Sequence, residues 1–273
     1  MDIRAGLTVA ALQAGLPLEP LENRILLCHA LGLTRVGLIT QSERLVTDAE
    51  AAALKALAER RLRGEPIAYI VGRREFFGLD FRVTDAVLIP RPDTELLVEL
   101  ALERLAPQAR VLDMGTGSGA IAVAIAHTRR DAQVTALDVS PAALDIARQN
   151  AVTNGARVRL VQSDWFAAIE GERFDMVVSN PPYIANGDVH LSQGDLRFEP
   201  TGALTDHADG LSALRTIIKG APAHLEPGGW LLMEHGYDQA SQVRELLTEH
   251  GYVDVASWRD LAGIERVTGG RAP

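Results

Sequence analysis

The feature of this chain that most constrains its fold is a regular alternation of two kinds of segment after Pro92. Short apolar runs rich in branched residues alternate with longer runs in which apolar residues recur every three or four positions, which is typical of strands alternating with helices. Such alternation predicts a parallel, doubly wound sheet. The predicted strands are 110–114, 133–138, 158–162, 174–179 and 230–234, and the predicted helices are 94–105, 120–127, 141–154, 211–224 and 239–250.

The last part of the chain departs from this alternation. Residues 253–258 and 265–269 both have the pattern of strands, and no helical pattern lies between them. Two strands joined so directly should run antiparallel. We therefore predict an α/β, Rossmann-like fold in which a mostly parallel, doubly wound sheet has an antiparallel last strand.

The chain before Pro92 has a different pattern. Residues up to 72 indicate a small helical bundle with helices near 3–14, 18–31 and 48–63. Thr47 and Glu50 have the spacing of a capping box for the third of these helices. Residues 73–90 alternate in the manner of a β-hairpin. We predict a recognition bundle at 1–72, a linking hairpin at 73–90 and the α/β domain at 91–273.

Composition narrows the class of protein. A formal net charge of -9 argues against broad binding to phosphate backbones, which needs a concentrated basic surface. The one cysteine, Cys28, lies in an apolar run and suits a buried core thiol. No run has membrane-spanning length, no cleavable signal pattern is evident, and the seven histidines lack metal-ligand spacing. We expect a cytoplasmic monomer without metal, membrane or direct nucleic-acid contacts.

A glycine-rich loop follows the first predicted strand of the α/β domain. Its glycines allow the positive φ of a tight turn and let a ligand approach the backbone without meeting a Cβ. Ligands bind at such carboxyl ends of parallel strands. The spacing also fits a loose dinucleotide fingerprint, so a nicotinamide oxidoreductase is a second interpretation. The predicted cofactor contacts in this segment are Asp113, Gly115, Thr116, Gly117, Ser118 and Gly119.

Polar residues at the strand ends favour S-adenosylmethionine as the cofactor. The carboxylate of Asp113 suits an ammonium group, which S-adenosylmethionine carries, and it suits a pyrophosphate poorly. Asp138 ends the next strand, where it can accept hydrogen bonds from both ribose hydroxyls. After the third strand, Asp164 can accept from an adenine amine, and Trp165 can pack on the adenine ring or in the core.

The fourth predicted strand ends in an Asn-Pro-Pro-Tyr turn, residues 180–183. The turn indicates methylation of a planar nitrogen, because the delocalised lone pair of an amide or aromatic amine is a weak nucleophile that needs alignment. Asn180 offers a side-chain carbonyl to the N–H hydrogens, and Pro181 offers a backbone carbonyl whose direction the following proline restricts. Tyr183 can cover one face of the planar group.

Alignment of this kind can lower a barrier by about 7–11 kcal/mol, so no strong general base is required. We therefore assign catalysis to Asn180, Pro181 and Tyr183, and binding of the acceptor to Asn180, Pro181, Pro182 and Tyr183. Asn180 should also border the cofactor. Residues 91–273 thus form the predicted S-adenosylmethionine-dependent methyltransferase domain.

At these residues the sequence resembles the HemK/PrmC family of protein-(glutamine) methyltransferases, which modify peptide chain release factors. The resemblance covers nearly the whole chain, and the helical bundle matches more loosely. It implies that the glycine-rich loop, Asp138, Trp165 and Asn180 contact or border the cofactor, and that residues 180–183 hold the glutamine of a Gly-Gly-Gln motif. The segments that carry the resemblance are 89–95, 113–119, 180–183, 194–200, 234–236 and 265–267.

The loop 184–210 and the acidic residues near Pro92 each have more than one interpretation. Residues 184–210 form a polar loop too long for a simple connection, and long loops beside a site are often lids. Arg197 and Glu199 within it can pair with each other or contact an incoming protein. Asp93 and Glu95 suit the first turn of a helix, where acidic residues favour the helix dipole.

Three other functions compete with the glutamine methyltransferase. An adenine methyltransferase acting on nucleic acid would suit the same tetrapeptide, but net acidity and an aromatic content of 5% weigh against it. A nicotinamide oxidoreductase leaves residues 180–183 without a role. A binding module without catalysis would be indicated by damage to the glycine-rich loop or the tetrapeptide, and both are intact.

Overall fold

The computed structural model of the protein describes residues 2–273. The described chain divides into two units, one that ends at Gly72 and one that comprises Arg73–Pro273. Each unit has its own buried apolar core. In this part of the chain, no helix is both long and apolar enough to cross a membrane.

The first unit is helical. Leucines of its helices meet in one core, in which Leu26, Leu27 and Leu54 are fully buried. The predicted capping box is confirmed, because Thr47 Oγ1 accepts from Glu50 N while Glu50 accepts from Thr47 N. The helices are α1 Val9–Gly15, α2 Pro20–Leu31, α3 Arg35–Thr40, α4 Asp48–Leu62 and α5 Ile67–Val71.

The first helix starts later than the sequence pattern predicts. Gly6 N donates to Val46 O, Val46 N donates to Leu7 O, and Thr8 forms an isolated antiparallel bridge with Leu45, so α1 begins only at Val9. Thr8 then caps the helix, with its Oγ1 accepting from Ala11 N at 3.1 Å. The sequence pattern does not predict α3 and α5, because six and five residues give too few repeats of the helical period.

The second unit combines a mixed sheet with helices on its faces. Its strands are β1 Arg73–Phe76, β2 Leu79–Arg82, β3 Arg110–Met114, β4 Gln133–Asp138, β5 Val158–Gln162, β6 Phe174–Ser179, β7 Leu225–Glu234, β8 Val253–Arg259 and β9 Glu265–Arg271. Its α-helices are α6 Glu95–Arg104, α7 Ala120–Thr128, α8 Pro141–Thr153, α9 Thr201–Leu204, α10 Ser212–Gly220 and α11 Ala240–Glu249. Short 3-10 helices are Pro92–Thr94, Val189–Ser192, Leu196–Phe198 and Ala221–Ala223.

The main sheet has the order β5-β4-β3-β6-β7-β9-β8. Neighbouring strands from β5 to β7 are parallel, and β9 lies antiparallel to both β7 and β8. The predicted mostly parallel sheet with an antiparallel last strand is therefore confirmed. β9 needs a glycine where it crosses β7, because a Cβ on Gly269 would overlap the carbonyl oxygen of Leu231.

The register of the parallel strands brings four strand ends to one level. Met114 of β3 pairs with Leu137 of β4 and with Ser179 of β6, and Ser179 pairs with Met233 of β7. The residue after each of these positions therefore lies at the same height along the carboxyl edge of the sheet. The chain winds away in opposite directions from β3 and β6, and ligands bind in the crevice at such a switch point.

The hairpin β1–β2 is shorter than the predicted 73–90 and packs on the second unit. Phe76 and Phe81 are buried in its core. Asn150 of α8 replaces a strand partner, since its Oδ1 accepts from Arg82 N at 2.7 Å and its Nδ2 donates to Arg82 O at 3.0 Å. Asn150 thus satisfies both backbone groups of the residue at which β2 ends.

The capping box of α4 gives a first prediction. Thr47→Ala removes the acceptor for Glu50 N, so the free energy of unfolding should fall by about 1 kcal/mol. Thr47→Ser keeps the acceptor and should lie within a few tenths of a kcal/mol of the wild type, as roughly expected for cap residues of similar rank. Chemical denaturation of the full chain measures both variants, and equal destabilisation by the two would contradict the capping role.

Candidate active site

A cavity of about 320 Å³ opens at the carboxyl edge of the parallel strands. Segments far apart in the chain contribute its walls, as the switch-point topology requires. Several of them belong to the glycine-rich loop and the strand ends named above. The lining residues fall in the segments 86–91, 114–121, 137–143, 163–165, 180–182 and 200–203, with Thr94 beside them.

The glycine-rich loop has the backbone that its sequence predicts. Gly115, Gly117 and Gly119 all have positive φ, at 70°, 54° and 82°. At Gly115 and Gly117 a Cβ would have no neighbour within 4 Å among the described residues, so the backbone there is open to a ligand. Gly119 serves a different purpose, because a Cβ would lie 3.1 Å from that of Ala147 in α8.

Asp113 is fully buried beneath this loop and is not among the described residues that line the cavity. Its Oδ2 accepts from Thr116 Oγ1 at 2.6 Å and from Ala122 N at 3.2 Å, which ties the loop to the start of α7. Its Oδ1 is buried and has no hydrogen-bond partner among residues 2–273. Burial raises the pKa of Asp113 to about 7. A cation reaching Oδ1 would favour the ionised form again.

Asp138 lies on the cavity wall at the end of β4. Its Oδ2 accepts from Gly117 N at 2.8 Å, and its Oδ1 accepts from Ser140 N at 2.9 Å. Each carboxylate oxygen can accept a second hydrogen bond, so the group can still receive two hydroxyls. Burial raises the pKa of Asp138 above its ordinary value, and the hydrogen bonds from Ser140 and Gly117 oppose that rise.

The segment after β5 supplies a further wall. Asp164 is exposed and Trp165 is half-buried, and both line the cavity. Trp165 has a φ of 48°, a conformation that is uncommon for a residue other than glycine. Ser163 Oγ holds this turn by donating to Trp165 O at 2.7 Å and accepting from Ala168 N at 3.0 Å. Trp165 also packs against the core, so both interpretations of it are compatible with its position.

The Asn-Pro-Pro-Tyr turn follows β6 directly. Asn180 and Pro182 line the cavity, whereas Pro181 is buried and Tyr183 lies outside the cavity wall. Asn180 Nδ2 donates to Thr94 Oγ1 at 3.2 Å. This contact leaves the side-chain oxygen of Asn180 as the group available for an acceptor role.

Tyr183 reaches a buried carboxyl group at the end of β7. Its hydroxyl donates to Glu234 Oε1 at 3.2 Å, and Glu234 is 1% exposed. Burial raises the pKa of Glu234 to about 7, and the nearby Asp93 adds to the rise, whereas Thr94, Tyr183 and Arg266 oppose it. Burial, with the charge of Glu234, also raises the pKa of the Tyr183 hydroxyl. The phenol therefore stays protonated and acts as a donor.

An ion pair joins the segment 184–210 to the residues before the 3-10 helix Pro92–Thr94, with Glu199 buried and Arg91 half-buried. Glu199 Oε1 accepts from Arg91, and Glu199 Oε2 accepts from Ile89 N at 2.9 Å. Glu199 thus pairs with Arg91 rather than with Arg197, whose guanidinium lies 5.0 Å from the ring centre of Phe198. Burial raises the pKa of Glu199, and the charge of Arg91 opposes the rise.

The tie at Glu199 positions the next part of the loop. Pro200, Gly202 and Ala203, which come just after Glu199, line the cavity. A second tie closes the other end, where Gln239 Nε2 donates to Tyr183 O at 3.0 Å and to Gly210 O at 3.2 Å. Three residues of the predicted long loop therefore form part of the cavity wall.

The structure brings most of the predicted site residues to the cavity wall. Gly115, Thr116, Gly117, Ser118, Asp138, Asp164, Trp165, Asn180 and Pro182 line it, and Asp113, Gly119, Pro181 and Tyr183 lie behind those residues. The sequence motifs indicate no individual role for Arg91, Thr94, Glu234 or Gln239, and the predicted alternatives for Glu199 do not include Arg91. Glu234 could have been identified from the sequence, because it ends a buried strand. The partners of Glu199 and Gln239 are too distant in sequence to infer.

Comparison with known proteins identifies the family. A model of the PrmC N-terminal domain matches residues 8–72, and a model of the methyltransferase small domain matches residues 92–196. The release factor glutamine methyltransferase of Burkholderia pseudomallei is 56% identical over 97% of this chain and 96% of its own length. That of Bordetella pertussis is 56% identical over 94% of this chain and 95% of its own length.

This chain belongs to the release factor glutamine methyltransferase family. The resemblance to HemK/PrmC proteins given by the sequence motifs is thereby confirmed. Among solved structures, a methyltransferase from Pyrococcus furiosus aligns with a TM-score of 0.56 at 22% identity, and it covers 78% of this chain and 96% of that chain. At that identity the likeness supports the methyltransferase fold alone.

The two glycines at the end of the loop give a matched pair of variants. Alanine at either Gly117 or Gly119 must adopt positive φ, which costs about 1–2 kcal/mol. At Gly119 the new Cβ also meets Ala147, and overpacking adds about 1–3 kcal/mol. Gly119→Ala should therefore lower the free energy of unfolding more than Gly117→Ala does. Denaturation in urea tests this order. An equal loss of unfolding free energy in the two variants would show that α8 moves to accommodate the new Cβ without an energetic penalty.

The buried carboxyl group of Glu234 predicts a pH dependence of stability. Its pKa is about 7 in the folded chain against an ordinary value of 4.5, so the unfolded chain releases this proton first as the pH rises. The contribution of Glu234 to stability therefore falls between about pH 4.5 and pH 7 and is constant above that range. Glutamine at this position does not titrate.

We expect Glu234→Gln to gain stability relative to the wild type as the pH is raised. The free energy of unfolding of both proteins, measured by denaturation at pH 5 and at pH 8, gives two differences to compare. The difference should favour the variant more at pH 8. If it is the same at both values, Glu234 titrates alike in the folded and unfolded chains.

Proposed function

We propose that this chain transfers a methyl group from S-adenosylmethionine to the side-chain amide nitrogen of the glutamine in the Gly-Gly-Gln motif of peptide chain release factors, and so modulates translation termination. The observation that carries the proposal is the position of Asn180. Its side chain lies on the cavity wall, level with the ends of β3 and β4, and its amide nitrogen is already engaged by Thr94. Membership of the family supports the choice of acceptor.

The residues around the glycine-rich loop fit S-adenosylmethionine. Gly115 and Gly117 leave open backbone, and the buried Asp113 Oδ1 has no partner among the described residues, which suits a nearby ammonium group. Asp138 keeps acceptor sites for two ribose hydroxyls. When bound, this cofactor supplies a methyl group on a positively charged sulfur, and S-adenosyl-L-homocysteine is the product.

The remaining cofactor contacts complete a binding surface. Thr116 and Ser118 offer backbone and hydroxyl groups within the loop, and Thr116 N is fixed by a 2.8 Å hydrogen bond to Leu137 O. Asp164 and Trp165 would take the adenine, since both line the cavity beyond the ribose position at Asp138. Gly119 contributes indirectly, by letting α7 approach α8.

Asn180 and its neighbours would hold the glutamine amide. The Asn180 side-chain oxygen and the Pro181 carbonyl are acceptors for the two N–H hydrogens, which fixes the nitrogen and its weak lone pair. Methylation forms an N–CH₃ bond and releases one amide proton, which would pass to water, so the acceptor site loses one hydrogen bond when the product forms. Pro182 and Tyr183 shape the turn, and the Tyr183 hydroxyl is held by Glu234.

The helical unit has no part in this chemistry, and we assign it to recognition of the release factor. Residues 8–72 match the PrmC N-terminal domain, so this unit occurs beside the catalytic unit in other members of the family. That recurrence supports a role in recognising their shared substrate. The formal net charge of -9 favours a protein acceptor over a nucleic-acid one. We expect the enzyme to act as a monomer in the cytoplasm, because release factors are made and used there.

Transfer of labelled methyl from S-adenosylmethionine to an unmethylated release factor tests the function. The wild-type factor should be labelled, and a factor whose motif glutamine is replaced by alanine should not. Adenine-containing DNA and RNA should also remain unlabelled. Label on nucleic acid alone would overturn the proposal and favour an adenine methyltransferase.

Asn180→Ala should abolish most turnover without emptying the cofactor site. Loss of one aligning group in a preorganised site typically costs about 10²–10³ in kcat. Affinity for S-adenosylmethionine, measured by calorimetry, should change by less than about tenfold, because an ordinary hydrogen bond contributes about 0.5–1.5 kcal/mol. Unchanged kcat would remove Asn180 from the proposed mechanism.

A further inference from the structure

Thr94 stands where a helix-capping residue would be expected but does not cap. It ends the 3-10 helix Pro92–Thr94 and is the N-cap residue of α6, yet its side chain makes no capping hydrogen bond. It is 4% exposed and contributes to the cavity wall. Its hydroxyl instead accepts from Asn180 Nδ2 at 3.2 Å, across 86 residues of sequence.

The contact matters because a carboxamide has two ends of similar size and opposite character. One end donates and the other accepts, so a half-turn of the Asn180 side chain would offer N–H groups where a substrate amide needs an acceptor. Sterics discriminate poorly between these two orientations. A hydrogen-bond partner must therefore select one of them.

A threonine hydroxyl alone cannot select, because it both donates and accepts. An ionised carboxylate beside it can, because a carboxylate only accepts and so takes the hydroxyl proton. Glu234 is buried beside Thr94, and the hydroxyl favours its ionised form. Glu234 Oε2 is buried and has no hydrogen-bond partner among the described residues, while Oε1 accepts from Tyr183. A hydroxyl proton directed at this unpartnered oxygen would leave Thr94 with a lone pair for Asn180.

We propose that Thr94, backed by the buried carboxylate of Glu234, is a positioning residue that fixes the side-chain oxygen of Asn180 toward the acceptor amide. The link to turnover rests on the proposed function, whereas the orientation of Asn180 does not. The same carboxylate holds Tyr183, so a single buried group orients two side chains of the Asn-Pro-Pro-Tyr turn. Neither Thr94 nor Glu234 needs to touch the reacting atoms for this effect.

Two substitutions at Thr94 separate orientation from packing. Thr94→Val keeps the shape and removes the hydroxyl, and Thr94→Ser keeps the hydroxyl and removes a methyl group. At pH 8, where Glu234 is largely ionised, Thr94→Val should lower kcat by about 10- to 100-fold, as expected when a hydrogen bond that orients a reacting group is lost. Thr94→Ser should retain most of the turnover, and the KM for the release factor should change little in either variant.

Thr135→Val is the matched control. Thr135 is a buried threonine of β4 whose Oγ1 accepts from Arg159, and it does not line the cavity within the described chain. The same chemical change there should leave kcat unaltered. Thr94→Ala provides a second test if Thr94→Val does not fold, since it also removes the hydroxyl without adding a polar group.

Side-chain amide signals give a readout that does not depend on the substrate. The NH₂ signals of Asn180, identified by their loss in Asn180→Ala, should show one proton protected from exchange in the wild type and in Thr94→Ser, and none in Thr94→Val. Turnover of Thr94→Val within twofold of the wild type would overturn the proposal, as would equal slowing by valine and serine or an unchanged amide signal. A wild-type enzyme inactive on release factors with the protected amide intact would overturn the proposed function and support the positioning contact.

Discussion

The parallel register of β4, β3, β6 and β7 is the constraint on which the site depends. Because Met114, Leu137, Ser179 and Met233 pair across the sheet, the next residue of each strand emerges at a common height. A shift of one residue in any pairing would turn the following side chain to the opposite face. The backbone hydrogen bonds of the sheet therefore bring the strand ends together. The loops only have to orient the side chains that follow.

Buried carboxyl groups make the next set of connections. Asp113 joins the glycine-rich loop to α7, Glu199 joins the segment after β6 to residues 89–91, and Glu234 holds Tyr183. Burial raises the pKa of all three, so each carries a desolvation cost. Buried charges of this kind are weak evidence for stability, and their value here lies in the directions they impose on neighbouring groups.

Sequence alone predicts the sheet well because its signals are local. The bounds of β3 to β6 follow from apolar runs that stop at a polar residue or a glycine, and the glycine-rich loop and the Asn-Pro-Pro-Tyr turn mark their own places. The predicted site residues were found from the same signals. The ties made by Glu199 and Gln239 could not be found in this way, because each depends on a partner that only the fold brings near. Thr94 is the clearest case, since it is the N-cap residue of α6 in the structure but its side chain contacts Asn180, 86 residues away in sequence.

The ion pair between Glu199 and Arg91 links parts of the chain that lie 108 residues apart. Residues next to both partners of the ion pair line the cavity. A molecule in the cavity would therefore contact both chain segments that the ion pair joins. Closing such a loop costs conformational entropy, and a ligand that binds only the closed form offsets that cost by about 2.7 kcal/mol at a concentration of 100 Kd. The occupied enzyme should thus resist local opening of residues 184–204 in a way that the empty enzyme does not.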